Sequence, residues 1–545
     1  MRGKFFIILV SMNALICYSL VIADVTHYIS KPRERFDVTY YQLNLLISPV
    51  EKMISGSVIM RAKSTIEGLN EITLNLYNTM NISKITGNIL NFTHKNDLIN
   101  IMLDHSYDIK ESFEIEIFYS GKPEQVELGN SAEFTPFRFA NDGDHEIICS
   151  DSCPYYARAW WPCKDTPSDK ADSVHFFITV PENLDVAANG KFKGAIDNGD
   201  STRTYHWHIM NPISTYLIAI QIADYVKLSD YYVSASGDSM EVSFFVFPED
   251  CSKVLNQFKK IGEMIAVLSD YYGEYPYLNE KYAMVETQGN WAAVEYQTLS
   301  CFNRDYIANE MIALHELAHQ WFGDCVTPKD FRHSWISEGF AVYSEALYVE
   351  HHQGREKYHD YMNKRVNALS YKERLFRDDV SSPHSIYHSV VYKKGAWVLH
   401  MLRHILGDSN FFNALREFRY RFEYACATTE DFQAVCEYIS ETDLDYFFEE
   451  WIYDRWHPEY ECDWRSQPLG KNSFRVFVTI EQTQAIGPIF KMPLDITVET
   501  AVGDTTFIQF VDEKRKAFDF AVKSEPRKVI IDENGWILKE VSQIK

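Results

Sequence analysis

The chain has 545 residues, 46% of them hydrophobic, and a formal net charge of −24 at pH 7. Its length exceeds what one hydrophobic core normally holds, so the sequence predicts about three or four domains, and its apolar content excludes a disordered chain. The negative charge opposes binding to the phosphates of nucleic acids and to anionic lipid surfaces, so we expect no nucleic-acid partner.

The first 23 residues are typical of a secretory signal peptide. A basic start is followed by an apolar run over residues 5–22, and Val21 and Ala23 provide the small residues of a cleavage site. Polar residues interrupt this run, and no later segment has a long uncharged apolar stretch. We therefore predict cleavage of residues 1–23, no stable membrane span afterwards, and an exported protein that is secreted, periplasmic or associated with the cell surface.

The cysteines beyond the signal peptide are odd in number, so at least one thiol has no partner within the chain. Disulfides are permitted in an exported protein. Close neighbours in the sequence could pair, or could remain buried free thiols, and spacing alone leaves both open. These neighbours are Cys149, Cys153 and Cys163, and then Cys426 and Cys436.

Residues 24–235 are predicted to form an N-terminal β domain. Apolar and polar side chains alternate over residues 41–47, and clusters of turn residues such as 198–201 separate such runs. Alternation returns after Pro458, so residues 456–545 are predicted to form a C-terminal β-sandwich.

Residues 236–455 are predicted to form a helical domain between these β regions. Apolar residues recur there three and four positions apart, which is the helical period. The segments that show this period most clearly are 254–272, 307–322, 340–352 and 395–406.

The second of these segments contains the pattern His315-Glu316-x-x-His319. Histidines four positions apart project from one face of a helix, so both imidazoles can bind the same metal ion. The alternative is an ordinary amphipathic helix with two surface histidines. The apolar flanks disfavour it, because two buried histidines without partners are destabilising. The sequence therefore predicts one Zn²⁺ per chain.

Catalytic zinc has three protein ligands and an open position for water. Glu338, at the start of another helical segment, is the predicted third ligand, because the eighteen intervening residues suffice to turn the chain back. Glu345 is the fallback ligand. Glu316 is predicted to be the catalytic base, which takes a proton from water and delivers it to the leaving amine.

This pattern resembles the signature of the M1 aminopeptidases, a gluzincin family that includes aminopeptidase N. Segments 37–43, 157–165 and 448–451 are also similar to that family. The resemblance implies a multidomain α+β fold with a saddle-like N-terminal β domain, a thermolysin-like, α-rich zinc catalytic domain and a C-terminal β-sandwich. Many members continue into a large helical domain, whereas this chain stops after the sandwich. We therefore expect an open cleft, or a homo-oligomer in which a second subunit covers it.

The resemblance assigns Glu295 to binding the substrate's α-ammonium group. Residues 292–296 resemble the family's Gly-x-Met-Glu-Asn motif, with Ala, Val and Tyr in place of the Gly, Met and Asn. Members usually add a Glu or Gln at the position that is Cys153 here. Glu295 then binds the ammonium alone, or Asp151 substitutes, or the preference for a free amine is relaxed. Asp324 is predicted to orient a ligand histidine.

Tyr392 lies in a segment that is similar to the family's Tyr-x-Lys-Gly, and the resemblance implies that it donates a hydrogen bond to the oxyanion. Tyr387 is the alternate tyrosine. The predicted activity is a zinc aminopeptidase acting on peptides with a free N-terminus. Three alternatives stay open: a zinc endopeptidase, a hydrolase of non-peptide substrates on the same scaffold, and a non-catalytic binding homologue.

Overall fold

The computed structural model describes residues 34–544, apart from 125, 129–131, 290 and 365–371. The predicted signal peptide, residues 1–23, lies outside the described residues. Within them, we find no helix that is long and apolar enough to cross a membrane.

The N-terminal region is built from β-strands, as predicted. In the first strand Tyr41, Leu43 and Leu45 are buried between partly exposed polar neighbours, which confirms the alternation. The strands are Phe36–Ser48 (β1), Met53–Ser64 (β2), Leu69–Asn75 (β3), Met80–Gly87 (β4), Ile89–Lys95 (β5), Leu98–Tyr107 (β6), Ser112–Gly121 (β7), Val126–Leu128 (β8), Ala132–Phe134 (β9), Phe137–Asn141 (β10), Glu146–Ser150 (β11), Lys170–Ala171 (β12), Ser173–Pro181 (β13), Asp185–Ala188 (β14), Lys191–Asp197 (β15), Thr202–Ile209 (β16), Ile213–Ser214 (β17) and Ile220–Ala223 (β18).

The largest sheet of this region has the strand order β15-β16-β13-β1-β2-β7-β4. Its β1 and β13 pair in parallel, and its other pairings are antiparallel. The same region contains a four-stranded sheet of order β10-β11-β18-β14. Their apolar faces share one core, which extends to residues of the next sheet.

A five-stranded sheet of order β19-β20-β21-β23-β22 follows. Its strands are Val226–Val233 (β19), Ser239–Val246 (β20), Lys281–Thr287 (β21), Ala293–Val294 (β22) and Leu299–Asn303 (β23). The prediction of a helical domain over residues 236–455 did not include strands β21 to β23. In β21, Met284 packs with the helices whereas Val285 packs with the N-terminal core, so both faces are buried. A strand buried on both faces has no alternation to reveal it.

The helices confirm the four segments predicted from periodicity. They are Cys251–Val254 (α1), Gln257–Tyr272 (α2), Glu310–Ala318 (α3), Trp335–Gln353 (α4), Arg355–Lys364 (α5), Pro383–Ile386 (α6), Ser389–Arg421 (α7), Thr429–Ser440 (α8) and Asp445–Phe448 (α9). Gly407 interrupts α7 with a φ of 72°. Short 3₁₀ segments lie at Ala157–Ala159, Thr215–Leu217, Pro248–Asp250 and Phe331–His333, and a π-helical turn lies at Glu449–Tyr453.

The C-terminal region again consists of β-strands, which pack as two sheets. After the two-residue strands Thr327–Pro328 (β24) and Cys426–Ala427 (β25), the strands are Glu459–Gly470 (β26), Ser473–Gln482 (β27), Met492–Thr500 (β28), Thr505–Val511 (β29), Arg515–Val522 (β30), Pro526–Ile531 (β31) and Glu540–Ile544 (β32). The sheet orders are β30-β27-β26-β32 and β29-β28-β31. Rings of Phe507 and Phe520 stack across them at 4.2 Å. The domain boundaries at 235/236 and 455/456 remain predictions.

Two glycines allow α4 and α7 to cross closely behind the predicted metal site. A Cβ atom built on Gly339 would lie 2.8 Å from the Cα atom of Gly395, which is closer than real Cβ atoms approach. The residue before Gly339 is Glu338, and Tyr392 lies about one turn before Gly395. The crossing therefore sets the separation of two predicted site residues.

We expect Gly339→Ala to lower the free energy of unfolding by about 1–3 kcal/mol, because the new methyl group forces the two helices apart. Gly262→Ala in α2 is the matched control, since nothing lies within 4 Å of a Cβ built there. That control should be neutral or stabilising by about 0.5–1 kcal/mol. Denaturant unfolding measures both. Equal stability of the Gly339 variant and the wild type would contradict the close crossing.

Candidate active site

Two helix ends bring the three predicted zinc ligands together. His315 lies on α3, His319 directly follows its last residue, and Glu338 lies in the first turn of α4. Glu338 Oε2 is 3.5 Å from Nε2 of His315 and 3.4 Å from Nε2 of His319. Tetrahedral ligands bound to zinc at their usual distances lie about 3.3 Å apart. The donor atoms and their spacing therefore fit a zinc ion.

The other ring nitrogens of both histidines face acceptors, which fixes their tautomers. His315 Nδ1 donates to Glu345 Oε1 at 2.8 Å, and His319 Nδ1 donates to the Phe322 carbonyl at 3.2 Å. The Nε2 lone pairs are consequently left free for a metal. Glu345, the predicted fallback ligand, thus orients His315 instead of belonging to the group of ligand atoms.

Two further residues support these ligands, and the sequence analysis missed both. Tyr361 on α5 donates to the second carboxylate oxygen of Glu345, and Ser337 Oγ lies 3.0 Å from His319 Nδ1. The only sequence feature that could have indicated the role of Ser337 is that it directly precedes the predicted ligand Glu338. Tyr361 lies on a separate helix, and no sequence feature indicated its contact with Glu345.

The turn after the histidine helix is tightly packed. Gly323 has a φ of 131°, and a Cβ atom there would lie 2.6 Å from Ser337 Oγ, so the turn requires glycine. Lys170 of the N-terminal region donates to the backbone carbonyls of Asp324 and Cys325 at 2.7 and 3.0 Å. The prediction that Asp324 orients a ligand histidine is wrong, because its carboxylate accepts from Gln320 Nε2 at 2.7 Å.

Three acidic side chains are concentrated at this site. Burial raises the pKa of Glu316, which is 6% exposed, and it also raises the pKa of Glu295. Burial acts in the same direction on Glu338, but the two neighbouring histidines outweigh it and lower its pKa to about 2. Ligand atoms of Glu295, Glu316 and His319 lie within 4.8 Å of one another. The site therefore holds an excess of carboxylates that favours cations.

Glu295 directly follows β22, the edge strand of the five-stranded sheet. Cys153, at the position where the family usually has Glu or Gln, lies 2.9 Å from the hydroxyl of Tyr387. Asp151 accepts hydrogen bonds from Tyr296 and Trp291. Cys149 and Cys153 form no disulfide with each other in the structure, so no bridge stiffens this loop.

Tyr392 lies beside one of the predicted zinc ligands. Its ring stacks on His315 with 6.2 Å between centroids and an interplanar angle of 18°. Burial, followed by the charge of Glu338, raises the pKa of Tyr392 well above its usual value, so the phenol stays protonated and can donate. A cavity of about 540 Å³ lies beside Tyr392 and His315. Its lining residues are His315, Val342, Glu345, Tyr361, Tyr387, Ser389, Tyr392 and Lys393.

Comparison with known protein families gives two matches. Residues 38–217 match the peptidase M1 N-terminal domain, and residues 258–451 match the peptidase family M1 domain. A probable aminopeptidase 2 of Sulfurisphaera tokodaii is 23% identical over 415 residues, which cover 72% of this chain and 51% of that protein. The chain spans about half the length of the curated relatives it matches.

Solved structures give a similar result. An M1 zinc metallopeptidase from Deinococcus radiodurans is 25% identical, with a TM-score of 0.68, over 76% of this chain and 93% of that chain. A mutant of that enzyme was crystallised with a Tyr-Ser-Ala substrate. Aminopeptidase A of Legionella pneumophila, in complex with aspartic acid, shares the fold at 16% identity and a TM-score of 0.79, over 93% of this chain and 60% of that chain.

We expect Glu345→Gln to weaken zinc binding by about 10- to 100-fold, because His315 loses the carboxylate that orients its ring. Competition with a chelating dye measures the affinity. Glu356→Gln is the control. The Glu356 side chain is 89% exposed on α5, so this substitution removes an equal charge away from the site. The same zinc affinity in both variants would contradict the role of Glu345.

Proposed function

We propose, because this chain belongs to peptidase family M1, that it is a zinc-dependent aminopeptidase that removes the first residue from peptides with a free N-terminus. One observation carries the step from hydrolase to aminopeptidase. The carboxylate of Glu295 lies within 4.8 Å of Glu316 and His319, so an anion stands beside the hydrolytic groups. An α-ammonium held there would place the first peptide bond of the substrate at those groups.

The roles of the hydrolytic residues follow from their positions. His315, His319 and Glu338 would hold zinc, which when bound polarises the substrate carbonyl and lowers the pKa of water. Glu316 would take the proton from the attacking water and deliver it to the leaving amine. Its burial supports this role, since a carboxyl with a raised pKa retains a proton more readily than an exposed glutamate does.

Tyr392 is the better supported of the two candidate tyrosines. Burial raises the pKa of both phenols, so both stay protonated. The ring of Tyr392 stacks on His315, whereas that of Tyr387 packs against Phe331, so Tyr392 is the one placed to donate to the carbonyl oxygen as negative charge develops. The hydroxyl of Tyr387 is already engaged with the thiol of Cys153. We therefore assign transition-state stabilisation to Tyr392 and a structural contact to Tyr387.

Export is also part of the proposal, and it rests on residues 1–23 alone. These residues have the charge and hydropathy of a cleaved signal peptide. The N-terminal residue of the protein recovered from its native host tests this. A mature chain that begins at Asp24 supports export, and one that retains Met1 contradicts it.

Aminoacyl reporter substrates test the proposed activity. We expect cleavage that a chelator abolishes and zinc restores, and no cleavage of the same substrates after Nα-acetylation, because acetylation removes the cation that Glu295 binds. Equal cleavage of free and acetylated substrates would favour the endopeptidase alternative. Absence of cleavage from both would favour the binding homologue or the non-peptide hydrolase.

We expect Glu316→Gln to bind zinc as the wild type does but to lower kcat by a factor on the order of 10² to 10⁴, the usual contribution of a general base. Glu310→Gln, in the first turn of the same helix, is the matched control outside the site. Metal content is measured beside turnover for both. Full activity of the Glu316 variant would contradict the mechanism.

We expect Tyr392→Phe to lower kcat by about 10²- to 10³-fold with a smaller effect on KM, because its hydrogen bond forms in the transition state. Tyr387→Phe should have a smaller effect on kcat, since it removes only a contact with Cys153. Steady-state kinetics on one reporter compares the two. The opposite order would transfer the role to Tyr387.

A further inference from the structure

The cavity of about 540 Å³ adjoins the proposed hydrolytic groups, because both His315 and Tyr392 line it. Helix α4 contributes Val342 and Glu345, which lie about one and two turns after Glu338. Ligand pockets in proteins typically have volumes of about 300–1,000 Å³. The cavity is therefore large enough to hold part of a peptide next to the bond that breaks.

The cavity lies where the leaving part of a peptide would run. Glu295, which holds the α-ammonium in the proposed reaction, directly follows β22 of the five-stranded sheet. The described residues that line the cavity come instead from α3, α4, α5, α7 and the residues just before α7. A substrate anchored at Glu295 has its first peptide bond at the zinc ligands and Tyr392. The residues after that bond then continue toward the helices.

Among the described lining residues, Glu345 and Lys393 are the acid and the base of opposite charge. Both oxygens of Glu345 are engaged within the protein, since Oε1 accepts from His315 Nδ1 at 2.8 Å and Oε2 accepts from the Tyr361 hydroxyl. The ammonium of Lys393 has three N–H donors and no acceptor, so a contact within the protein still leaves donors for a ligand. The charge that the cavity offers to a ligand is therefore positive.

Helix α7 places Lys393 close to the bond that breaks. Lys393 directly follows Tyr392, which is assigned to the carbonyl oxygen of that bond. It also lies four residues after Ser389, so these two side chains share one face of the helix, and both line the cavity. An extended peptide advances about 3.3–3.6 Å per residue. A carboxylate one or two residues beyond the bond therefore comes near the ammonium.

A carboxylate needs a cation at this place in order to bind. Glu295, Glu316 and Glu338 make the neighbouring site acidic, and the chain as a whole has a net charge of −24, so an anionic group is repelled from it. Lys393 offsets this repulsion locally. Its side chain is half-buried, and a charge-assisted hydrogen bond is stronger there than in bulk water.

We propose that Lys393 binds a carboxylate in the leaving part of the substrate. This carboxylate is the C-terminus of a short peptide or the side chain of an Asp or Glu that closely follows the bond. The specificity rests on the proposed aminopeptidase function and adds a second anchor to it. Glu295 holds the positive end of the peptide, and Lys393 holds a negative group beyond the bond.

Pairs of peptides that differ in one charge test the inference. Leu-Ala and Leu-Ala-Ala are compared with their C-terminal amides, and Leu-Glu-Ala amide is compared with Leu-Gln-Ala amide. We expect the wild type to have a kcat/KM at least about 10-fold higher for the carboxylate in one or more pairs, because a hydrogen bond between charged groups contributes that factor. The pairs that respond identify the source of the carboxylate. Equal values in every pair overturn the inference.

Substitution of Lys393 tests the assignment to that residue. Lys393→Met removes the ammonium and keeps an unbranched side chain, so we expect the carboxylate-to-amide ratio of kcat/KM to fall toward one. Lys393→Arg keeps the positive charge and should retain the preference. Lys528→Met, at a 60% exposed position on β31, is the matched control and should keep the wild-type ratio. A wild-type ratio in Lys393→Met overturns the assignment.

The outcomes separate this inference from the proposed function. A wild type that cleaves aminoacyl reporters but treats each carboxylate and its uncharged counterpart alike overturns the carboxylate site and leaves the aminopeptidase intact. Failure of the wild type to cleave any reporter contradicts the proposed function itself, and with it the inference. The wild-type comparison requires no variant, so it decides the matter even if Lys393→Met does not fold.

Discussion

The close approach of two imidazoles and one carboxylate is the constraint on which the rest of the site depends. Nε2 of His315 and of His319 can face Glu338 only if α3 and α4 lie at a fixed angle and separation. The close packing of Gly339 in α4 against Gly395 in α7 holds α4 in place. The hydrogen bonds from Lys170 to the turn after α3 hold that turn. The N-terminal β region thus contributes to the metal site without providing a ligand.

The charge of the site follows from the same arrangement. Glu295, Glu316, Glu338 and Asp151 are all at least partly buried, and neighbouring carboxylates destabilise one another in such surroundings. Bound cations relieve this repulsion. A zinc ion at His315, His319 and Glu338 and the α-ammonium of a peptide at Glu295 are two cations that match this arrangement.

The sequence predicted the ligand triad because helical spacing alone brings His315 and His319 to one face, and it predicted the β regions from alternation. It failed where the relevant signal is not local. Strand β21 is buried on both faces and so has no period. Glu345 contacts His315 thirty residues away, whereas Asp324 contacts Gln320, and spacing does not distinguish which acid faces a ligand histidine. The sequence left Asp151 open as one substitute for the acid that is missing at Cys153. The hydrogen bonds that Asp151 accepts from Trp291 and Tyr296 join residues 140 and 145 positions apart, which spacing cannot reveal.

Mass spectrometry of the products from one unlabelled peptide of about ten residues tests the central claim most directly. If zinc at His315, His319 and Glu338 acts beside an ammonium anchored by Glu295, the products form a ladder that loses single residues from the N-terminus, and the ladder disappears when zinc is removed. Early internal fragments, or a ladder that persists without the metal, would contradict this account.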